Sequence, residues 1–264
     1  MNTDLSGRTA IITGGSLGLG QAMAQAFHDQ GANVAIFARR QDVLDNTAEE
    51  INAATPSISG GQVRGYVCDV TDNDAVTDTH RQVVEAFGPV DILVNNAGAS
   101  AAKPFMQITD ADWQADLDLK LMAAVRLTRL VWPDMANRRW GRIINLLNVY
   151  AKAPSARTAP TSVTRAAGMA LTKVLADEGA EHNILVNAML IGFIKSDQIV
   201  RMHAASGENT SLEEFIAKAG ERLPMGRMGE AAECANLGLF LASEASSYIT
   251  GCAINMDGGL SKVV

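Results

Sequence analysis

Short apolar runs alternate with longer stretches whose apolar positions recur every three or four residues, and the alternation persists along all 264 residues. Apolar runs bounded by turn residues read as buried strands, and the longer periodic stretches read as amphipathic helices. The pattern predicts strands near Thr9–Thr13, Asn33–Ala38, Val63–Cys68, Asp91–Asn95, Arg142–Leu147, Leu185–Met189 and Cys252–Met256. Helices are expected near Leu19–Gln30, Gln41–Ala54, Asp72–Ala86, Asp110–Asn137, Pro160–Glu181 and Glu230–Ala242. Repeated βα units with right-handed crossovers place helices on both faces of a mostly parallel sheet. The expected fold class is therefore α/β, a doubly wound parallel sheet within one domain over residues 1–264. One stretch breaks the rhythm. Residues 193–227 are partly charged and punctuated by Gly207, Gly220 and Pro224, which suggests a lid or substrate loop. The alternative is a helical pair that packs on the surface away from any ligand.

A hydrophobic share of 47% is enough for one well-cored domain. The net charge of −7 and the absence of a Lys/Arg-rich run argue against a nucleic-acid partner. No apolar stretch reaches the roughly 18 residues that a membrane span needs, and Met1–Thr9 carries no signal-like apolar run. Cys68, Cys234 and Cys252 have no metal-ligand spacing and read as buried, reduced thiols, so the expected location is cytoplasmic and no metal is expected. His28, His80 and His182 fall on helices or at their ends and read as surface residues. His203, inside the 193–227 segment, has a route to the pocket, although exposure to solvent is the other reading.

The candidate chemistry clusters at the carboxyl ends of strands, where such sheets bind ligands. Thr13-Gly14-Gly15-Ser16-Leu17-Gly18-Leu19-Gly20 leaves the first strand and opens the first helix. Glycines there let backbone approach a pyrophosphate resting on the helix amino end. The second strand ends in Phe37-Ala38-Arg39-Arg40, without the acid that commonly accepts from the adenosine ribose hydroxyls. A guanidinium at Arg39 suits a 2′-phosphate, which favours NADP(H) over NAD(H). Asp69, followed by Val70, can accept from an adenine amino group. The alternative is that Asp69 caps the next helix. Asn95-Asn96-Ala97-Gly98 leaves room for a ribose, or simply makes a turn.

With these motifs the chain resembles the short-chain dehydrogenase/reductase family. The glycine pattern is complete at Thr13, Gly14, Gly18 and Gly20, and the Asn-Asn-Ala-Gly element at Asn95 to Gly98. Arg227 to Glu230, Tyr248 to Gly251 and Asp257 to Gly259 resemble the family's closing helix and strand. The resemblance implies a single-domain Rossmann-type fold, a nicotinamide dinucleotide, a small-molecule substrate and a homo-oligomer, tetramer or dimer. It also implies cofactor contacts at Gly14, Ser16, Leu17, Gly18, Leu19, Arg39, Asp69, Val70, Asn96, Ala97, Gly98, Arg165, Gly192 and Ile194.

At the chemical end the resemblance implies an Asn, a Ser, a Tyr and a Lys. Counting from neighbouring landmarks puts Lys120, Asn148, Thr161 and Arg165 at those positions. A phenol of pKa about 10 is brought toward neutrality by a nearby ammonium, but an aliphatic hydroxyl is a far weaker acid. Arg165 keeps positive charge and donors for a ribose, Asn148 can hydrogen-bond a substrate oxygen, and Lys120 adds a second cation. Tyr150, two residues beyond Asn148, is a candidate replacement acid, or else a pocket wall. Three functions follow from this pattern. The first is an oxidoreductase on a carbonyl or alcohol with a non-standard proton donor. The second is an inactive NADP(H)-binding sensor or partner subunit, and the third is a non-redox enzyme such as a lyase or dehydratase.

Overall fold

The computed structural model describes residues 1–54 and 60–264. Its strands are β1 (Thr9–Thr13), β2 (Asn33–Ala38), β3 (Val63–Val67), β4 (Ile92–Asn95), β5 (Gly141–Asn148), β6 (Ile184–Ile191) and β7 (Ala253–Met256). The helices are α1 (Gly18–Asp29), α2 (Gln41–Ala54), α3 (Asn73–Phe87), α4 (Asp110–Leu117), α5 (Ala123–Arg138), α6 (Thr161–Gly179), α7 (Asp197–Ser206), α8 (Leu212–Gly220) and α9 (Ala231–Ala242). All seven strands form one sheet in the order β3-β2-β1-β4-β5-β6-β7, with every neighbouring pair parallel.

Successive strand residues point to opposite faces, and both faces are apolar because helices cover both. Ile12, Ile36, Val94 and Ile144 pack under Met23 and Phe27 of α1, Leu44 of α2 and Cys234 of α9. Ile11, Phe37, Leu93 and Ile143 pack under Val76 of α3 and Leu127 and Val131 of α5. Among the described residues no helix is long and apolar enough to cross a membrane.

The helix expected over Asp110–Asn137 is interrupted. A wide π turn over Asp118–Met122 joins α4 to α5. The buried positions along this run are Asp116, Lys120, Ala123, Ala124, Leu127, Thr128, Val131 and Met135, the three- and four-residue recurrence of one helix face. The π turn adds a residue to the turn that carries Lys120 without moving the run off that face. His28 is another correction. It sits one residue beyond Phe27 on the buried arc of α1 and is 2% exposed, not a surface residue. Cys68 and Cys234 are buried as expected, but Cys252 is exposed, at the bend that precedes the edge strand β7.

Residues 193–227 contain the helical pair α7 and α8. Ile199, Leu223 and Met228 form a small separate core there, packed with Phe193, Phe215 and Ile216. His203 is half-buried inside the pair. Its Nε2 lies 2.8 Å from the Thr210 carbonyl and its ring 5.2 Å from that of Phe215.

The opposite, amino edge of the sheet is tied by Asp91. Its buried carboxylate accepts from the Thr9 backbone N–H at 3.0 Å and pairs with Arg8 at 3.3 Å and Arg138 at 3.2 Å. Asp91→Ala would leave the Thr9 N–H buried without an acceptor, and should lower the unfolding free energy in urea by about 1–3 kcal/mol.

Candidate active site

The strand order reverses between β1 and β4, which are paired neighbours. The glycine turn after β1 therefore lies beside the Asn95–Gly98 turn after β4, at the crevice where doubly wound sheets take ligands. The Thr13 hydroxyl knots the two turns. It donates to the Val94 carbonyl at 3.3 Å and accepts the backbone N–H groups of Asn96 and Ala97, both at 2.9 Å. The Asn96 side-chain amide donates back to the carbonyls of Thr13 (2.8 Å) and Gly14 (3.0 Å). Gly14 has a positive φ of 63°, and a Cβ on Gly20 would stand 2.3 Å from the Gly14 carbonyl oxygen. Leu17 precedes α1 without supplying a side-chain cap, and the first turn of α1 contains no acid. The amino end of that helix keeps unsatisfied N–H groups that suit an anion. Ser16 is buried with its carbonyl bonded to the Thr47 hydroxyl at 2.8 Å, Leu17 is exposed, and Leu19 packs partly against the core.

Arg39 is exposed at the end of β2. Asp69 accepts from the backbone N–H and the hydroxyl of Thr71, at 3.0 and 2.7 Å, and these bonds hold its carboxyl below the ordinary range, with Arg39 adding to the effect. Asp69 does not cap α3. Asp72 does, accepting from the N–H groups of Asp74 and Ala75. The Val70 side chain faces the core beside Phe37 and Cys68, which leaves only its backbone for a ligand. Gly192 passes so close to Asp257 that a Cβ would stand 2.7 Å from the Asp257 Cα. Ile194 is buried and bridges to Gly229.

Lys120, in the π turn, and Thr161, which opens α6, meet across the helices. The Lys120 ammonium forms a close ion pair with Asp116 and donates to Thr161 Oγ1 at 2.9 Å. Both charged side chains are almost fully enclosed, at 1% and 2% exposure. Burial lowers the Lys120 pKa and Arg165 lowers it further, against the opposing pull of Asp116. Thr161 Oγ1 also accepts the Ala101 N–H at 3.0 Å. One turn along α6, the Arg165 guanidinium donates to the Leu146 carbonyl at 2.7 Å. It lies against Gly98, where a Cβ would meet Arg165 Nη2 at 2.4 Å. Burial lowers its pKa to about 10, so Arg165 remains cationic at neutral pH.

Asn148 ends β5, and its buried Oδ1 has no hydrogen-bond partner among the described residues. Tyr150 is half-buried on the short turn Val149–Ala151 that follows. Beneath Lys120 and Arg165 is a cavity of about 10 Å³ bordered by Asn95 and Asn145, with Asn95 Nδ2 donating to Asn145 Oδ1 at 2.8 Å. Asp116 and the Asn95–Asn145 pair are absent from the candidates that the sequence suggests. The signal for Asp116 was its position four residues before Lys120, a spacing shared with any surface ion pair on a helix.

Residues 14–261 match the family model described as enoyl-(acyl carrier protein) reductase. The 3-oxoacyl-(acyl-carrier-protein) reductase FabG of Thermotoga maritima is 33% identical over 256 residues, covering 97% of this chain and 98% of that one. The chain belongs to the short-chain dehydrogenase/reductase family. Two solved structures agree with this assignment. The L-sorbose reductase of Gluconobacter frateurii, complexed with NADPH and L-sorbose, superposes with a TM-score of 0.93 at 33% identity over the whole of both chains. YwfH, an NADPH-dependent reductase involved in bacilysin biosynthesis, gives 0.90 at 30% identity over 97% of this chain and 99% of that one. In this short-chain dehydrogenase/reductase sheet the Lys120, Thr161 and Arg165 cluster lies against the Gly98 turn that follows β4.

Removing one partner of a buried ion pair leaves the other charge uncompensated. Lys120→Met should cost about 3–5 kcal/mol in urea unfolding, and adding Asp116→Leu should recover most of that loss.

Proposed function

We propose that this chain is an NADP(H)-dependent oxidoreductase that interconverts a carbonyl and an alcohol with a proton donor other than the family's tyrosine. The observation that carries the reading is the meeting of the glycine turn, Gly98 and the Arg165 guanidinium at one sheet edge. The positive-φ Gly14, the close approach at Gly20 and the uncapped amino end of α1 fit a dinucleotide pyrophosphate. Gly14, Ser16, Leu17, Gly18 and Leu19 hold it, and Arg39 takes the 2′-phosphate. Asp69 receives the adenine amino group beside the Val70 backbone. Asn96, Ala97 and Gly98 line the ribose path, with Arg165 as donor to the nicotinamide ribose and Gly192 and Ile194 at the far side.

When bound, the nicotinamide exchanges a hydride with the substrate carbon. The protein's part is to orient both molecules and to stabilise charge on the substrate oxygen. Arg165 supplies a fixed positive charge for that oxygen, and Asn148 has an unpaired amide oxygen that can meet a neighbouring hydroxyl of the substrate. The named activities of the relatives, on a 3-oxoacyl group and on L-sorbose, support a ketone as substrate. The helical pair α7–α8 serves as the lid of the substrate side. The exposed Val163 and Val174 on α6, together with a fully exposed Tyr248, support assembly into a dimer or tetramer.

The test begins with fluorescence titrations of NADPH and NADH, followed by a ketone screen that includes acetoacetyl-CoA and L-sorbose. A charge-assisted contact contributes about 1.5–3 kcal/mol. Arg39→Ala should therefore weaken NADPH binding by roughly 10- to 100-fold while NADH binding holds. An equal loss for both nucleotides would rule out the 2′-phosphate role, and failure of the wild type to bind either would remove the oxidoreductase reading.

A further inference from the structure

We infer that the Thr161 hydroxyl is the acid that protonates the substrate oxygen, and that the Lys120 ammonium behind it restores the proton while Asp116 anchors that ammonium. The inference rests on the reductase reading above and names its missing proton donor.

The hydrogen-bond directions carry the argument. Thr161 Oγ1 accepts from the Ala101 N–H and from Lys120 Nζ, which occupies both lone pairs of a hydroxyl. Its own proton can return to neither, and no acceptor for it exists among the described residues. A buried hydroxyl in that state is a donor that lacks an acceptor, and a substrate oxygen brought up to it would supply one. Lys120, in turn, has an ammonium with three N–H groups, of which Asp116 takes one and Thr161 another.

Threonine alone is too weak an acid, because losing its proton would leave an alkoxide. The pairing with Lys120 removes that obstacle. As the carbonyl carbon gains hydride from the reduced nicotinamide, the π electrons move to the carbonyl oxygen. That oxygen takes the Thr161 proton, and the O–H bond of Thr161 breaks. An N–H bond of Lys120 breaks in the same motion and its proton re-forms the Thr161 hydroxyl. Lys120 is left as a neutral amine beside the Asp116 carboxylate and takes up one proton from the solvent. The sum is a ketone, a reduced nicotinamide and one proton giving an alcohol and the oxidised nicotinamide.

Three charged groups define the environment of Lys120: its own ammonium, Asp116 from α4, and Arg165 from α6. The strands β4 and β5 contribute only the neutral amides of Asn95 and Asn145. Arg165 cannot take the place of Lys120 as proton source, since its guanidinium stays protonated and is bound to the Leu146 carbonyl. Thr161 is therefore assigned as a catalytic residue, whereas Lys120 and Asp116 act through it.

The full-length protein with NADPH and the ketones of the screen provides the test, with a second readout from NMR titration of the ¹³C-labelled lysines in the ligand-free protein. Thr161→Ser should keep kcat within about tenfold, while Thr161→Val should lower it by about 10²–10⁴-fold with NADPH still bound. The acid must be protonated, so kcat should fall as pH rises through the Lys120 pKa, which lies below the ordinary lysine value. Asp116→Asn removes the group that holds the proton on Lys120, so it should shift both that fall in kcat and the Lys120 NMR midpoint to lower pH. Thr161→Val should move the same midpoint down by deleting an acceptor for the ammonium. Retained turnover in Thr161→Val would overturn the assignment, and loss of turnover in Tyr150→Phe alongside it would transfer the role to the phenol. A wild type that binds NADPH but reduces no ketone would instead overturn the reductase reading, and the proton chain with it.

Discussion

Parallel pairing is the constraint on which the whole molecule depends. A strand that joins its neighbour in the same direction must be left at one edge of the sheet and re-entered at the other, so each connection crosses a face and needs a helix. With all seven strands aligned in this way, every carboxyl end emerges on the same side. The reversal of order between β1 and β4 then opens one crevice, and the Thr13 hydroxyl holds its two walls in register. Residues far apart in the chain become neighbours there because the topology gives them no other place to be.

The chemical end obeys a different rule, that a buried charge must be compensated. Lys120 enters the protein on a turn that is wider than α-helical, which lets its long side chain reach Thr161 on another helix. Asp116 comes with it, one turn earlier on the same run, and makes the burial tolerable. Arg165 meets the same demand by bonding to a strand carbonyl. Each cation thus has a local answer, and together they leave positive charge beside Gly98.

Much of this was legible in the sequence because it depends on local rules. The apolar runs at Thr9–Thr13 and Asn33–Ala38 and the helix at Gln41–Ala54 match the observed bounds, since their ends are marked by turn residues. The glycine and Asn-Asn-Ala-Gly turns could be read because glycine spacing reports backbone geometry directly. What could not be read depends on tertiary packing. The choice between Asp69 and Asp72 as the cap of α3 turns on which carboxylate lies over free N–H groups. His28 looks polar and lies at the end of a helix, yet it follows Phe27 onto the sheet. The π turn left no mark in the apolar spacing, which is that of an ordinary helix face. Asp116 was not singled out, because a carboxylate four residues before a lysine is a spacing that any surface ion pair shares.

The helical pair α7–α8 has an apolar cluster of its own, built on Ile199, Leu223 and Met228 and separate from the two large cores that sandwich the sheet. A unit with private packing can open without loosening the layers beneath it, because the free energy of local opening is set by the contacts that the opening breaks. Substitutions at Ile199 or Leu223 would therefore loosen the pair while the layers of the sheet keep their own packing, and substitutions under the sheet would leave the pair's cluster as it is.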